Sequence, residues 1–205
     1  MTHGEEEPLE GGRAVFVGGG SSTQGFDRLL ETVKASSALG ISRPTVASYL
    51  RALEVTQAMT VLRPFHGGGR KELVKTPKVY GFDTGFVSFF KGWDPLRDDD
   101  YGILWEHLVL EYLLARDPDG RIHYWRDALG REVDFVLPRS RDRIDALECK
   151  WNPADCDPRG LKAFRELYPQ GENFIVSPVN EPAHKRRLGG LEVTVSNPSG
   201  LPLPG

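Results

Sequence analysis

The chain of 205 residues has two cysteines, Cys149 and Cys156, with no Cys-x-x-Cys pair and no histidine pair at metal-site spacing. That pattern excludes a disulfide framework and a zinc ribbon, and the two read as reduced thiols of a cytoplasmic protein. No apolar run approaches the ~20 residues of a membrane span. The acidic start, with Glu5, Glu6 and Glu7 in a row, lacks the basic-then-apolar pattern of an export signal. Basic residues are not in excess either. Lys and Arg number 26 against 29 Asp and Glu, a net charge of −3. Contact with nucleic acid therefore needs a local patch rather than a global field. A glycine run follows Arg13-Ala-Val-Phe-Val, but it lacks the Gly-Lys-Ser/Thr ending of a phosphate loop. It reads as a linker, and no ATP site or ATP hydrolysis is expected of this polypeptide by itself. What remains is 39% hydrophobic and 27% charged, the composition of a soluble globular protein.

The most informative stretch runs from Asp134 to Lys150. Two apolar-rich runs, Glu132 to Leu137 and Asp145 to Trp151, flank a polar loop from Pro138 to Asp142. This predicts an antiparallel hairpin. Side chains two apart share a face, so Glu148 and Lys150 point one way while Leu147, Cys149 and Trp151 point into a core. Asp134 falls across from them on the partner strand. Two carboxylates and one ammonium on one patch can hold a divalent metal and orient a water. The same spacing also describes a plain ion pair on a solvated strand.

Upstream, residues 1–25 read as a disordered tail and linker. Phe26 to Ala38 is expected to be a helix, with Phe26, Leu29, Leu30 and Val33 at helical spacing. Ser42 caps a second helix with Pro44 in its first turn. Val46, Tyr49, Leu50 and Leu53 form its inner stripe, leaving Thr45, Ser48 and Arg51 off it and Arg43 at its start. That is the order of a helix-turn-helix. Strands are expected at Met59 to Phe65, Glu72 to Val74 and Val79 to Phe82. The basic residues Arg63, Arg70, Lys71, Lys75 and Lys78 between and beside them suit a phosphate-contacting wing. Residues 26–92 thus read as a winged-helix module. It reads as a truncated one, because only one helix is legible ahead of the recognition helix. The predicted DNA-contacting residues are Arg43, Thr45, Ser48, Arg51, Arg70 and Lys71.

A short helix is expected from Phe86 to Lys91, then a polar connection through Trp93 to Asp100. Gly102 to Arg116 is a strongly apolar helix. Glu106 has Ile103, Val109 and Leu110 as its helical neighbours, so it needs a metal, a partner or a raised pKa. The bland alternative is a buried glutamate paired with an arginine. Glu111 and His107 are expected to be more easily solvated. Arg121 to Arg126 is a strand ahead of the hairpin. A helix from Leu161 to Leu167 and strands at Asn173 to Ser177 and Leu191 to Val195 complete a core over residues 101–196, with a frayed tail at 197–205. Helix, three strands, helix, strand, strand is the order of an α/β core with a mixed sheet.

Several motifs resemble a known family. They include Gly40-Ile41-Ser42-Arg43-Pro44-Thr45-Val46 and Val74-Lys75-Thr76-Pro77-Lys78-Val79-Tyr80. Asp83-Thr84-Gly85, Trp105-Glu106, Tyr124-Trp125-Arg126-Asp127, Gly130-Arg131-Glu132-Val133-Asp134 and Glu148-Cys149-Lys150 follow in order. Together they resemble the C-terminal region, a domain of unknown function, of bacterial and archaeal AAA+-type ATPases. The resemblance implies a winged helix ahead of a restriction-endonuclease-like mixed sheet flanked by helices, in the PD-(D/E)xK nuclease superfamily. It implies that Asp134 and Glu148 hold Mg²⁺ or Mn²⁺, with the Cys149 carbonyl as a third ligand, and that Lys150 orients the attacking water. Glu106 stands where that superfamily often has an extra helical glutamate facing the metal. The implied activity is metal-dependent DNA phosphodiester cleavage. The alternative is a non-catalytic DNA- or protein-binding module acting with, or derived from, an AAA+-type ATPase. DNA, an ATPase partner or a homo-oligomer are the partners implied. No membrane role is.

Overall fold

The computed structural model describes residue 40 and residues 42–67, 77–117 and 121–203, except the side chains of residues 43 and 46. The expected tail at residues 1–25, the helix from Phe26 to Ala38 and the strand from Glu72 to Val74 lie outside the described residues, whereas the tail expected to fray from 197 instead makes a 3-10 turn at Pro198–Gly200 and buries Leu201 in the core.

Helix α1, Arg43–Val55, begins as its sequence dictates. Pro44 stands in the first turn, and the Ser42 hydroxyl accepts the Thr45 N–H at 3.3 Å. The expected inner stripe is only partly covered. Leu50 and Leu53 are half-buried, but Tyr49 is 61% exposed. A helical stripe becomes a core only where a surface opposes it. Among the described residues α1 packs on β1 (Met59–Leu62). Strand β1 pairs antiparallel with β2 (Lys78–Gly81), with Leu62 opposite Lys78. The chain then leans on the main sheet, where the Phe65 N–H donates to the Tyr124 carbonyl at 2.6 Å.

Helix α2 spans Thr84–Lys91, capped by Asp83 and stopped by Gly92 at φ +66°. Helix α3 spans Asp98–Arg116, four residues earlier than the sequence reading. The aspartates taken for a connection form its first turn, where the positive end of the helix dipole favours them. Asp100 also accepts the Arg97 N–H at 2.9 Å. Among the described residues no helix is long and apolar enough to cross a membrane.

The main sheet has six strands in the order β3-β4-β5-β6-β8-β7. They are β3 (His123–Arg126), β4 (Glu132–Pro138), β5 (Ile144–Cys149), β6 (Asn173–Val176), β7 (His184–Leu188) and β8 (Leu191–Ser196). β3, β4 and β5 pair antiparallel, β6 lies parallel to both β5 and β8, and β7 pairs antiparallel with β8. The sheet is therefore mixed, as expected. Strand β7 is an addition the sequence reading lacked. Helix α4 (Arg159–Leu167) makes the crossover from β5 to β6.

Two cores lie on the two faces of this sheet. On one, Trp105, Val109, Leu110 and Leu113 of α3 pack against Phe135, Leu137, Leu147 and Cys149, with Leu62 and Tyr80 of the small hairpin joining them. On the other, Leu161, Ala163 and Phe164 of α4 pack against Val133, Val136, Ala146 and Ile175. Strand β5 is buried along its whole length. Covered on both faces, it sends Leu147 and Cys149 toward α3 and alternates Ala146 and Glu148 toward α4.

Candidate active site

The hairpin β4–β5 places the signature residues. Phe135 pairs with Leu147 and Val136 with Ala146. Continuing that register sets Asp134 opposite Glu148, at the end of β5 where the chain leaves the sheet. Asp134 accepts the Cys149 N–H at 2.8 Å, which fixes its carboxylate against the neighbouring strand. Lys150 folds back over both acids. Its Nζ lies 3.0 Å from Glu148 Oε2, 3.4 Å from Asp134 Oδ2 and 3.1 Å from the Cys149 carbonyl oxygen. Three oxygens of two strands thus converge on one cation.

The acids are not equivalent. Burial opposes ionisation of Asp134, yet Lys150, Lys78 and the Cys149 N–H outweigh it and hold its pKa below the usual range. Glu148 is pushed up to about 8, first by burial and then by the charge on Asp134. Lys150 loses solvation, but its two carboxylates more than compensate and keep the ammonium protonated. Burial drives the Cys149 thiol well up, and pushes Cys156 up to about 12, so neither offers a thiolate near neutrality.

Glu106 stands beside this trio in a second charged cluster. Its Oε1 accepts Lys78 Nζ at 3.1 Å and the Tyr80 hydroxyl at 2.6 Å. Lys78 also pairs with Glu132, which in turn pairs with Arg126. The partner of Glu106 is thus a lysine and a tyrosine, not the arginine weighed from the sequence. Lys78 corrects a second expectation. It is 5% exposed and cannot reach a phosphate on the surface. It desolvates completely, and Glu106, Tyr80 and Glu132 raise its pKa regardless. Tyr80 is also raised, by burial first and then by Glu106.

His107, expected to be solvated, is 4% exposed and sits edge-on to the Tyr80 ring at 5.0 Å. Trp151, expected in the core, is 47% exposed and stacks on Tyr101 at 4.9 Å. It lies beyond the last residue of β5, where the α3 face of the sheet runs out.

Of the predicted DNA contacts, Ser48 and Arg51 are exposed on α1, and Thr45 is half-buried with its hydroxyl 2.8 Å from that of Ser42. Arg43 opens α1, but its side chain is not among those described, and Arg70 and Lys71 lie outside the described residues. Arg63 is exposed, 3.6 Å from Glu54.

An open cleft of about 300 Å³ runs from the trio toward α4. Glu148, Lys150, Glu132, Arg131, Asp157, Arg159 and Gly160 are among its lining residues. Arg131, Arg159 and Gly160 were not singled out from the sequence, because only the tertiary fold brings α4 and the β3–β4 turn together.

The donor set suits a hard divalent cation. Two carboxylates and a carbonyl already coordinate the Lys150 ammonium, and such oxygens are the preferred ligands of Mg²⁺ and Mn²⁺. Among the described residues no three His, Cys, Asp or Glu side chains are grouped to hold a metal by themselves. The third protein oxygen at this seat is the backbone carbonyl of Cys149.

Residues 101–194 match the model of a family described as a domain of unknown function, DUF4143. Residues 21–97 match a second, DUF8612. The uncharacterized proteins Rv2008c of Mycobacterium tuberculosis and Mb2031c of Mycobacterium bovis are each 28% identical to the chain over 117 residues. The match takes in 55% of this chain and 26% of each relative, so the chain spans about a quarter of the length of these curated relatives. A solved structure gives a TM-score of 0.36 and 14% identity over 47% of this chain and 27% of its own. It is a half-complex from a tetradecameric assembly of Thermococcus gammatolerans McrB AAA+ hexamers with bound McrC. The segment that carries Glu106, Asp134, Glu148 and Lys150 thus matches DUF4143, and the segment that carries α1 and the β1–β2 hairpin matches DUF8612.

Proposed function

We propose that the chain is a divalent-cation-dependent DNA phosphodiesterase with a restriction-endonuclease-like core. The observation that carries this reading is the convergence of Asp134, Glu148 and the Cys149 carbonyl on one cation, at the mouth of a cleft. Mg²⁺ or Mn²⁺ would take these three oxygens, with Glu106 as an outer acidic group. Such an ion supplies Lewis-acid charge beside a phosphate and orders a water. Asp134 stays ionised and gives the seat its permanent charge. Glu148, held largely protonated by burial and by Asp134, would have to lose its proton to act as a ligand. Lys150, which lines the cleft and keeps its proton, would position the water and stabilise charge building on the phosphate.

Helix α1 and the β1–β2 hairpin form the winged-helix grip in this reading. Ser48, Arg51 and Thr45 face DNA, and Arg43, Arg70 and Lys71 contact its phosphates. The resemblance to AAA+-type ATPase regions makes such an ATPase, or further copies of this chain, the natural partner. A binding module without catalysis is the second reading. The observation that favours it is that Lys150 already neutralises the site as an internal ion pair.

Cleavage separates the two. Supercoiled plasmid and single-stranded DNA are incubated with Mg²⁺ or Mn²⁺ and wild type or Lys150→Ala. Metal-dependent cleavage by the wild type that disappears in the variant is the expected result. A folded, metal-binding wild type that cuts neither substrate favours the binding module.

A further inference from the structure

The cleft extends past Glu148 and Lys150, and two aspartate-held arginines line it farther out. Arg159 opens α4 with its side chain 79% exposed, yet it is not loose. Asp157 accepts the Arg159 backbone N–H at 2.9 Å, its Nε at 2.6 Å and its Nη2 at 2.6 Å. Arg131 is held the same way on the other rim. Asp127 accepts its backbone N–H at 2.9 Å, its Nε at 2.7 Å and its Nη2 at 2.6 Å. A guanidinium has five N–H donors in a rigid plane. In each arginine one edge is taken by an aspartate and the other N–H groups remain for a ligand. Orienting a long side chain in advance removes much of the entropy cost of using it.

Of the other acids that line the cleft, Asp155 accepts the Asn152 side-chain amide at 3.3 Å. Glu132 pairs with Lys78 and Arg126, and Glu148 with Lys150. Gly160, in the first turn of α4, lines the cleft as well. The cleft therefore offers planar donors from two rims to a group that accepts from both.

We infer that Arg159 and Arg131 clamp a nucleic-acid backbone phosphate next to the one that faces Lys150. Arginine suits this because its planar fork matches phosphate oxygens and adds charge-assisted hydrogen bonds. The clamp rests on the phosphodiesterase reading for the identity of the anion. It does not depend on cleavage, so the two stand or fall separately.

The test is fluorescence anisotropy of a short labelled DNA duplex with the full chain in Ca²⁺, at several salt concentrations. Wild type is compared with Arg159→Ala, Arg159→Lys and Arg131→Ala/Arg159→Ala. The expected result is at least about tenfold weaker binding for the double variant, from lost charge-assisted bonds. Each lost arginine should also reduce the slope of log affinity on log salt by about one. Arg159→Lys should keep the slope. A merely structural arginine would lower the melting temperature without moving it. Unchanged affinity and slope in the double variant overturn the clamp, as does a wild type that fails to bind DNA. Cleavage that persists in clamp variants with normal binding leaves the phosphodiesterase standing and the clamp refuted. Clamp-dependent binding by a protein that never cleaves does the reverse.

Discussion

Lys78→Met is expected to destabilise the protein by about 3–5 kcal/mol, the usual cost of removing one partner from a buried ion pair. Lys78 is 5% exposed, and its ammonium touches Glu106 and Glu132. Without it, Glu106 keeps only the Tyr80 hydroxyl and Glu132 only Arg126, and two part-buried carboxylates share one lost cation. A loss of that size is a large share of the ordinary 5–15 kcal/mol of a domain, at roughly a few degrees of melting temperature per kcal/mol. Chemical denaturation at neutral pH measures it. Lys78→Met combined with Glu106→Gln should recover most of the loss, since Glu132 keeps its pair with Arg126 and no carboxylate is then left without a cation. The Tyr80 hydroxyl still finds an acceptor on Gln at 106. The raised pKa of Lys78 fixes the sign of its pH dependence. Its contribution is complete below the ordinary lysine pKa and is lost only as pH rises through the higher folded value. A Lys78→Met variant as stable as wild type would mean that the cluster holds nothing together.

Gly160→Ala should be nearly as damaging, although alanine is the better helix former by about 1 kcal/mol. A Cβ at position 160 would fall far inside contact distance of the Glu132 backbone carbonyl oxygen and 3.3 Å from Glu148 Oε1. The first is main chain of a paired strand and cannot rotate away. Helix α4 must therefore lift from β4, or β4 must bend. The cost should sit at the upper end of overpacking, about 3 kcal/mol. Thermal melting gives the stability, and metal titration of the folded variant gives the effect on the site. Glu148 borders the clash, so metal affinity should fall along with stability. An unchanged melting temperature would show that α4 does not pack as described.

Most of the sheet was legible in the sequence because alternation and burial wrote it there. Glu132 to Pro138 and Ile144 to Cys149 alternate or run apolar, and they form the central hairpin in the register that brings Asp134 and Glu148 together. Strand β7 was missed because His184-Lys-Arg-Arg-Leu carries no apolar alternation. As an exposed edge it needs none, and its basic residues guard an unpaired side. Lys78 misled for a related reason. In sequence it belongs to a basic run that suits a wing. Only the fold shows that β2 turns it inward onto Glu106 and Glu132, residues 28 and 54 positions away in the chain. Arg159 and Gly160 carry no local signal at all, and Arg131 stands inside a motif without a role of its own. Their meaning lies in the meeting of α4 with the start of β4.

The most direct test of the account is calorimetric titration of the full chain with Mn²⁺ across a range of pH. The seat must release the proton that Glu148 holds with a pKa of about 8. Affinity should therefore rise with pH through neutrality, with proton release on binding, because burial and Asp134 raise the Glu148 pKa. Asp134→Asn should abolish binding, and Glu148→Gln should weaken it and flatten the pH profile. A folded wild type that binds no Mn²⁺ at any pH would contradict the account, and would leave Asp134, Glu148 and Lys150 as an internal ion pair.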